Sequence, residues 1–510
     1  MRNPCLLLKC EPVDMATGAA APVFLSVGAG ARTYDGHRWT DAVIAGLPTI
    51  QRQAYPVEQR GLGGRSIPSF GVLTLTNDRH AQDLLVRRAW DGRPITAWRG
   101  EVGAPFATFT KIFAATTDQP TFDGQRIAVP IRDQAALFQR PVLTEAYAGT
   151  GGFEGTLAMA GTLKPRLIGS AAQFEPVLLD PARQLYQIAA GGIATGGLTI
   201  SEDGRSFPIV PVGDLEAWMN APEAGKAAVQ HGIGCFALGA PAQGVITCHA
   251  GLGFFQNHAG AVIYVLQQLL DFDFLPPLDL PALAELGTAL PGVMGLYLRE
   301  GDRALDSVLD EIGTSAGAWW GLTPLGTFTM RQWAWRAPVT TLREDRREFL
   351  TDFKSEAADP PVSWLTMNYG RRYRPLTAVE VEGVDLSAGT RADVQRQWDG
   401  AVQYRTDSSS TRLLARKLTI DSLYRNSFST AADAVRIIGR LLAADRWRMA
   451  VSVRRPFGSL AIGDTVRLQT SRYGFDGTDW LVVGSTDHLA PDPDREHCEL
   501  RLWGPRGAGE

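Results

Sequence analysis

The residue types that most often carry out catalysis are scattered along this chain of 510 residues. None of its histidines lies in an HExxH motif, and the spacing of His249 and His258 does not place two zinc ligands on one helical face. Pro68 follows Ser66 at the point where the nucleophile turn of a serine hydrolase needs a helix to begin. We therefore expect histidines of the core or the surface, without a zinc centre or a serine nucleophile. The seven histidines stand at positions 37, 80, 231, 249, 258, 488 and 497.

A pair of carboxylates is harder to judge, because glycoside cleavage depends on their separation in space and leaves no trace in a sequence. Asp271 and Asp273 follow an apolar helical pattern, where a solvated helix end is the simpler interpretation. A hidden glycan-cleaving pair stays open as an alternative, since any of the 54 acidic residues could belong to it.

Tryptophan is the residue type that most suggests a contact surface, since the chain has 13 of them. Its ring buries a large area at low entropic cost, stacks on sugars and anchors protein interfaces. Packing between sheets would use the same residues, so core and contact surface both remain open. The candidate interface aromatics are Trp319, Trp320, Trp333, Trp335 and Trp364.

The glycine cluster at 149–155 could cradle a phosphate, but it lacks the lysine and the Ser/Thr of a P-loop and the context of a dinucleotide fingerprint. We interpret it as a linker. We predict no catalytic residue, no cofactor and no metal ligand. The five cysteines form no CxxC pair, which favours reduced, unpaired thiols; they are Cys5, Cys10, Cys235, Cys248 and Cys498.

Charge and hydropathy exclude further classes. The net charge of −4 gives no footprint for a nucleic-acid backbone, and the basic run at 371–374 is typical of a solvated strand end. The first eight residues have too short an apolar run for a signal peptide. The apolar helical pattern at 258–270 is shorter than a membrane span. We expect synthesis and folding in the cytoplasm.

The elements that position these residues are mostly strands. The 54 glycines and 31 prolines are spread along the chain, and Asp-Gly turns at 90–95, 122–127 and 199–207 predict hairpins. Apolar residues at helical spacing predict helices after Asp302 and after Thr430, each followed by strands. This repetition leaves a duplicated architecture open. The predicted fold class is mostly β with a few helices: β-barrel or β-sandwich modules plus α+β inserts, in several domains.

Composition shifts divide the chain into six parts. We predict an N-terminal segment at 1–22, a β-rich domain at 23–148, a glycine-rich linker and β-rich domain at 149–230, a helix-containing α+β domain at 231–345, a β-rich connecting domain at 346–428, and a helix plus C-terminal β-barrel domain at 429–510.

Three stretches resemble the baseplate hub or tail-tip proteins of long-tailed, siphophage-type bacteriophages. The first is the glycine-rich text at 149–169 with the strands that follow at 174–180 and 185–188, although Phe174 and Glu175 stand near positions where the family usually has asparagine. The second is the closing barrel, represented by 460–466, 474–483 and 500–504. The third is the helix and tryptophan hairpin at 305–330. Together they cover about half of the chain.

The resemblance implies a structural virion protein at the distal end of the viral tail: a homotrimeric hub that closes the tail tube and links it to host-contacting proteins during host attachment and genome ejection. Its two tube-like barrels per chain would match three copies to a six-fold ring. Implied partners are the tail tube or distal tail ring protein, the tape measure protein, tail fibres or other tail-tip proteins, and the host cell surface. Three alternatives stay open: a receptor- or glycan-binding tail adhesin, a cell-wall-degrading tail enzyme, and a six-fold tail-ring component.

Overall fold

The computed structural model describes residues 3–41, 44–54, 57–58, 61–132, 135–268, 276–299, 303–356, 360–406, 416–425, 428–456 and 458–505. These residues form 38 strands and six α-helices. The prediction of a mostly β protein with a few helices is confirmed.

The strands and helices follow one another in chain order. The first part contains β1 (Pro4–Cys10), β2 (Val13–Asp14), β3 (Val23–Val27), β4 (Arg32–Tyr34), β5 (His37–Trp39), β6 (Ile44–Gly46), β7 (Thr49–Gln53), β8 (Val57–Glu58), β9 (Gly61–Leu62), β10 (Arg65–Ser66), β11 (Ser69–Phe70), β12 (Val72–Thr76), β13 (Arg88–Ala89), β14 (Pro94–Glu101), β15 (Thr110–Thr117), β16 (Thr121–Phe122) and β17 (Arg126–Arg132). The second part contains β18 (Arg166–Phe174), β19 (Val177–Asp180), β20 (Leu185–Gln187), β21 (Thr199–Glu202), β22 (Arg205–Ser206), β23 (Ile209–Pro211), α1 (Leu215–Met219), β24 (Ala227–Gln230), β25 (Cys235–Leu238), β26 (Ile246–Gly251), α2 (His258–Gln268), α3 (Leu280–Ala289) and β27 (Gly295–Leu298). The third part contains α4 (Leu305–Ala316), β28 (Ala318–Leu322), β29 (Phe328–Gln332), β30 (Thr340–Arg343), β31 (Lys354–Glu356), β32 (Val362–Arg371), α5 (Ala388–Gln395), β33 (Trp398–Arg405) and β34 (Arg416–Asp421). The last part contains α6 (Phe428–Ala443), β35 (Arg446–Val453), β36 (Thr465–Gln469), β37 (Asp479–His488) and β38 (His497–Pro505).

The first barrel is the ring of strands β3, β1, β14, β15, β17, β12 and β6, in that spatial order. Thr40 closes it: Ser26 of β3 donates its N–H to the Thr40 carbonyl (2.8 Å), Thr40 donates to the Phe24 carbonyl (3.0 Å), and β6 then pairs with β12. Strand β1 is buried on both faces, which explains why nearly all of its residues are apolar. The predicted N-terminal segment 1–22 therefore contains a central strand of this barrel.

The second barrel is built from β30, β36, β37, β38, β35 and β31. Strands β36 to β38 and β35 pair antiparallel, and β30 pairs parallel with β36. The segment between β30 and β31 closes the ring, because Glu348 donates its N–H to the Arg343 carbonyl (3.3 Å) and Leu350 donates to the Ser452 carbonyl (2.8 Å). Alternating side chains fill the interior, among them Val451, Leu500 and Leu502.

The two barrels share one strand order. In the first, β12, β14, β15 and β17 occur in that order along the chain, with the short strands β13 and β16 between them, and lie in the spatial order β12, β17, β15, β14. In the second, β35 to β38 lie in the order β35, β38, β37, β36. In both barrels an earlier pair of strands covers the two outer edges: β1 beside β14 with β6 beside β12, and β30 beside β36 with β31 beside β35. They differ in that β1 is antiparallel to β14 whereas β30 is parallel to β36.

Between the barrels in sequence lie two five-stranded sheets and a helical layer. One sheet has the order β22, β21, β26, β18, β27, and the other β19, β20, β25, β24, β23. Helices α2, α3 and α4 pack with the hairpin β28–β29, and α6 packs on the three-stranded sheet β33, β32, β34. The predicted domain boundaries remain predictions; strand pairing nevertheless crosses several of them, because β7 and β31 both belong to the sheet that β37 and β38 complete near the C-terminus.

The sequence predicted one helix and one Asp-Gly turn correctly and one hairpin wrongly. The predicted helix after Asp302 is α4, and Gly317 ends it in the left-handed conformation (φ 60°). The Asp203-Gly204 turn joins β21 and β22 with both residues at positive φ, as a two-residue hairpin requires. The predicted hairpin at 90–95 is wrong: the turn exists, but β13 pairs with β2 and β14 pairs with β1 and β15.

Candidate interaction surfaces

The five tryptophans predicted as interface aromatics separate into buried and exposed groups. Trp319, Trp320 and Trp333 are only 4%, 0% and 1% exposed. A ring without exposed area has none to offer a partner, so these three belong to the core of the chain and the packing interpretation applies to them. Trp335, at 36% exposure, and the half-buried Trp364 keep surface for contact.

The buried rings are held by an arm that leaves the first barrel between β7 and β11. Strand β10 on this arm pairs in parallel with β28, and Trp333 donates its indole N–H to the Gly63 carbonyl (3.0 Å). The Arg65 guanidinium lies over the Trp320 ring (5.6 Å) and forms ion pairs with Asp306 (2.6 Å) and Asp310 (2.7 Å) of α4. The arm therefore fastens the first barrel to the helical layer. Sequence reasoning missed it because its partners lie about 250 positions away along the chain.

Trp335 forms an exposed aromatic cluster on the outside of the second barrel. Its ring stacks on Trp503 of β38, with centroids 6.0 Å apart and planes 9° from parallel. The Arg446 guanidinium lies 4.8 Å from the Trp335 centroid and 4.9 Å from that of Trp503. A cation held over two ring faces fixes all three side chains, so this cluster is a rigid surface feature.

Trp364 lies on the outer face of the three-stranded sheet. Arg405 of β33 and Lys417 of β34 approach its ring to 3.8 and 4.7 Å. Neighbouring outward positions carry polar side chains, among them Thr366 and Gln403. The opposite face packs on α6 through buried Leu365. The sheet thus presents one aromatic ring inside a polar, basic surface.

The two barrels are joined by continuous backbone pairing. Strand β7, which follows β6 of the first barrel along the chain, pairs antiparallel with residues 484–488 of β37, from Gln53 opposite Gly484 to Thr49 opposite His488. Arg52 and Asp487 form an ion pair across this junction (2.9 Å), with side chains only 6% and 5% exposed. A second ion pair joins β14 to the loop before β38, between Arg99 and Glu496.

The glycine cluster at 149–155 is not a linker but part of a compact loop whose ends are hydrogen-bonded. Tyr147 donates its N–H to the Thr162 carbonyl and Gly161 donates back to the Tyr147 carbonyl (both 2.9 Å). Lys164, nearly buried, forms ion pairs with Glu154 on the loop (2.8 Å) and with Glu145 at its base. The Lys164 ammonium holds the pKa of the Glu154 carboxyl below its usual range. Loops with closely spaced ends of this kind are compact units of the surface.

The histidines highlighted by sequence lie apart and have no shared ligand geometry. His258 is buried with its Nε2 2.9 Å from the Ser315 hydroxyl, and burial lowers its pKa to about 4. Burial, with help from Arg425 and Arg372, lowers the pKa of His249 to about 4. Within the described ranges, no three His, Cys, Asp or Glu side chains could hold one metal ion.

Asp271 and Asp273, the candidate glycan-cleaving pair, lie outside the described residues. All five cysteines are buried free thiols. No helix in the described part of the chain is long and apolar enough to cross a membrane.

The described residues form cavities at the surface, and a polar one can be compared with an aromatic one. The larger, about 630 Å³, has mainly polar walls around β21 and β22, including Glu202, Asp203 and Arg205. The smaller, about 330 Å³, lies in the second barrel and is lined by Phe353, Ser355, Trp447, Met449, Tyr473 and Phe475. Four of its six lining side chains are aromatic.

Comparison with known proteins gives structural similarity to tail proteins over nearly the full length of the chain. No family model matches the sequence, and no curated protein matches it. A tail protein from Neisseria meningitidis MC58 aligns over 98% of this chain and 96% of its own, with 10% identity and a TM-score of 0.40. The 43 kDa tail protein of prophage MuSo2 from Shewanella oneidensis aligns over 98% of both chains, with 10% identity and a TM-score of 0.38. A chain of the virion of a native gene transfer agent particle covers 68% of this chain and 84% of its own, with 12% identity and a TM-score of 0.37. At these TM-scores the alignments do not by themselves establish a common fold.

Proposed function

We propose that this chain is a structural component of a bacteriophage tail tip: a baseplate hub at the distal end of the virion tail. It would close the tail tube and link it to the proteins that contact the host during adsorption and DNA ejection. The observation that carries the proposal is the pair of barrels with one strand order, fused edge to edge within a single chain. The resemblance of the sequence to hub proteins supports it independently.

The pairing of barrels gives a physical reason for a trimer. Closed oligomers repeat one interface around a symmetry axis, and three copies of a two-barrel chain supply six barrels to a six-fold tube. Adjacent partners would be the tail tube or distal ring protein and the tape measure protein, with tail fibres or other tip proteins on the far side. The exposed Trp335–Trp503 cluster, a rigid aromatic surface, is suited to such a contact.

The mass and shape of the purified assembly test this proposal. We expect particles of three times the 55.2 kDa of one chain by native mass spectrometry, and closed rings with a central hole of tube width by negative-stain electron microscopy. Six copies per ring would instead support a tail-ring component. A particle that stays monomeric at every concentration would contradict both.

An adhesin is the second candidate, because Trp364, flanked by Arg405 and Lys417, is an aromatic ring on a polar sheet face where a sugar could bind. In that case Trp364→Ala would abolish adsorption to host cells while ring assembly persists, and Trp335→Ala, the matched control on the second barrel, would leave adsorption intact. Loss of assembly with either variant would favour the hub. We propose no enzymatic activity; release of soluble fragments from purified peptidoglycan would overturn that part.

A further inference from the structure

The aromatic cavity of the second barrel has the properties of a binding site. Its volume of about 330 Å³ lies at the lower end of the range found for ligand pockets, which are mainly apolar with a few polar groups. Phe353 meets Phe475 at 90° and Tyr473 at 83°, with centroids 6.0 and 6.4 Å apart. The buried Met449 also lines the cavity. Ser355 adds a hydroxyl group to the cavity wall.

Tyr473 is exposed at this cavity in an unusual backbone conformation. Its φ is 57°, a region that side chains other than those of asparagine, aspartate and histidine rarely occupy, and 64% of its surface is exposed. Neither burial nor backbone preference therefore explains a tyrosine at this position. The Tyr473 ring forms part of the wall of the cavity, and strained residues of this kind cluster at ligand clamps.

Strand β31 offers backbone hydrogen bonds beside the cavity. The bonds that close the second barrel lie at Glu348 and Leu350, before β31 begins. In the described part of the chain β31 itself pairs with β35 alone, so the other edge of residues 354–356 is open to an added strand. Ser355, the middle residue of β31, lines the cavity. A residue placed opposite Ser355 on an added strand would share its face, and its side chain would point toward the aromatic walls.

We propose that the second barrel binds an extended peptide segment of a partner protein, which adds to the free edge of β31 and inserts one aromatic or large aliphatic side chain into the cavity. Backbone pairing with pockets for alternate side chains is an established mode of peptide recognition. Arg472, next to Tyr473 in the chain, forms ion pairs with Asp352 and Glu344, and the walls of the cavity carry no charged side chain. A neutral apolar side chain therefore fits better than a charged one. The inference does not depend on the tail role.

Methionine methyl NMR on the intact chain tests the pocket, because only eight methionines are present and Met449 lies in its wall. The Met449→Leu variant assigns the signal. We expect N-acetyl-tryptophanamide to shift the Met449 signal saturably, and an acetylated pentapeptide with tryptophan between threonines to bind at least about tenfold more tightly. The same pentapeptide with N-methylated backbone amides should lose that gain, because it cannot pair with β31.

Two variants separate binding from folding. Tyr473→Gly removes the ring where glycine suits the backbone, so its melting temperature should not fall while probe binding weakens at least about tenfold. Phe122→Ser removes a similarly exposed ring (68%) from the first barrel and should bind like the parent. The proposal is overturned if the Met449 signal does not respond to either probe, if N-methylation leaves affinity unchanged, or if N-acetylglucosamine shifts the signal at the same concentrations.

Discussion

The ion pair between Arg52 and Asp487 should determine how firmly the two barrels are joined. Both side chains are nearly buried, and their atoms lie 2.9 Å apart. Arg52 also donates to the Leu460 carbonyl (3.2 Å), and Asp487 accepts from the Ser485 hydroxyl (3.2 Å). Replacing Asp487 with asparagine keeps the size of the side chain but leaves the Arg52 charge buried without its counter-ion. Such a loss costs about 3–5 kcal/mol.

Calorimetric melting of Asp487→Asn measures this cost. A loss of about 1 kcal/mol lowers the melting temperature of a unit of about 150–250 residues by about 2–4 °C, so the melting temperature of the second barrel should fall by about 6–20 °C. Hydrogen exchange of amides in β37 should accelerate at the same time, because β7 would release residues 484–488 first. The matched control is Asp479→Asn, which breaks the half-exposed pair with Arg467 on the same barrel and should cost less than about 1 kcal/mol.

A double variant distinguishes charge from packing at the same junction. Arg52→Met with Asp487→Leu removes both charges and fills the space with apolar atoms, so most of the lost stability should return. Equal melting temperatures for Asp487→Asn and Asp479→Asn would refute the reasoning, since the junction pair would then behave as a surface pair. A double variant as unstable as Asp487→Asn would show that shape, not charge, holds β7 to β37.

Three further outcomes follow from the described contacts. Burial lowers the pKa of His258 from an ordinary 6.5 to about 4 in the folded chain, so between these two pH values the unfolded chain binds more protons than the folded chain. The melting temperature should therefore fall as the pH is lowered from 6.5 to about 4, and it should fall less steeply in His258→Gln. Burial raises the pKa of all five thiols, so a disulfide reagent at pH 8 should label none until urea unfolds the chain. Gly169 and Gly161 both have positive φ, but Gly169→Ala would place a Cβ 2.1 Å from the Met294 carbonyl oxygen, whereas the Cβ of Gly161→Ala would meet nothing within 4 Å. In urea unfolding, the free energy of unfolding should fall by about 1 kcal/mol for Gly161→Ala and by clearly more for Gly169→Ala.

What the sequence predicted correctly depends on neighbours in the chain. The stripe Leu305, Val308, Leu309 and Ile312 is a helix, because residues three and four apart meet on one face whatever surrounds them. The Asp203-Gly204 turn forms for a similarly local reason, since both residues tolerate positive φ. The hairpin at 90–95 was predicted on the same signal and is wrong, because a turn fixes the chain reversal but not which strands pair.

The rest of the site depends on partners hundreds of positions away. The amino-acid sequence alone did not indicate that Arg52 would form an ion pair with Asp487, or that the arm carrying Arg65 would cover Trp320. The tryptophan candidates show the same limit: adjacent Trp319 and Trp320 point to opposite faces of a strand, and the sequence left open whether either face is covered. Layers cover both faces of β28, so both rings are buried.

In the proposed trimer, the contact between the two barrels of one chain differs in kind from the contact between barrels of neighbouring chains. Within the chain, β7 follows β6 of the first barrel directly and pairs with residues 484–488 of β37. The corresponding position in the second barrel follows β31, where the next described strand, β32, pairs with β33 and β34 instead. Across the described ranges, the second barrel therefore has no equivalent strand to lend to a neighbouring copy. A ring of six barrels would alternate backbone junctions inside each chain with side-chain junctions between chains, so substitutions on the exposed barrel surface should dissociate the trimer while each pair of barrels stays joined.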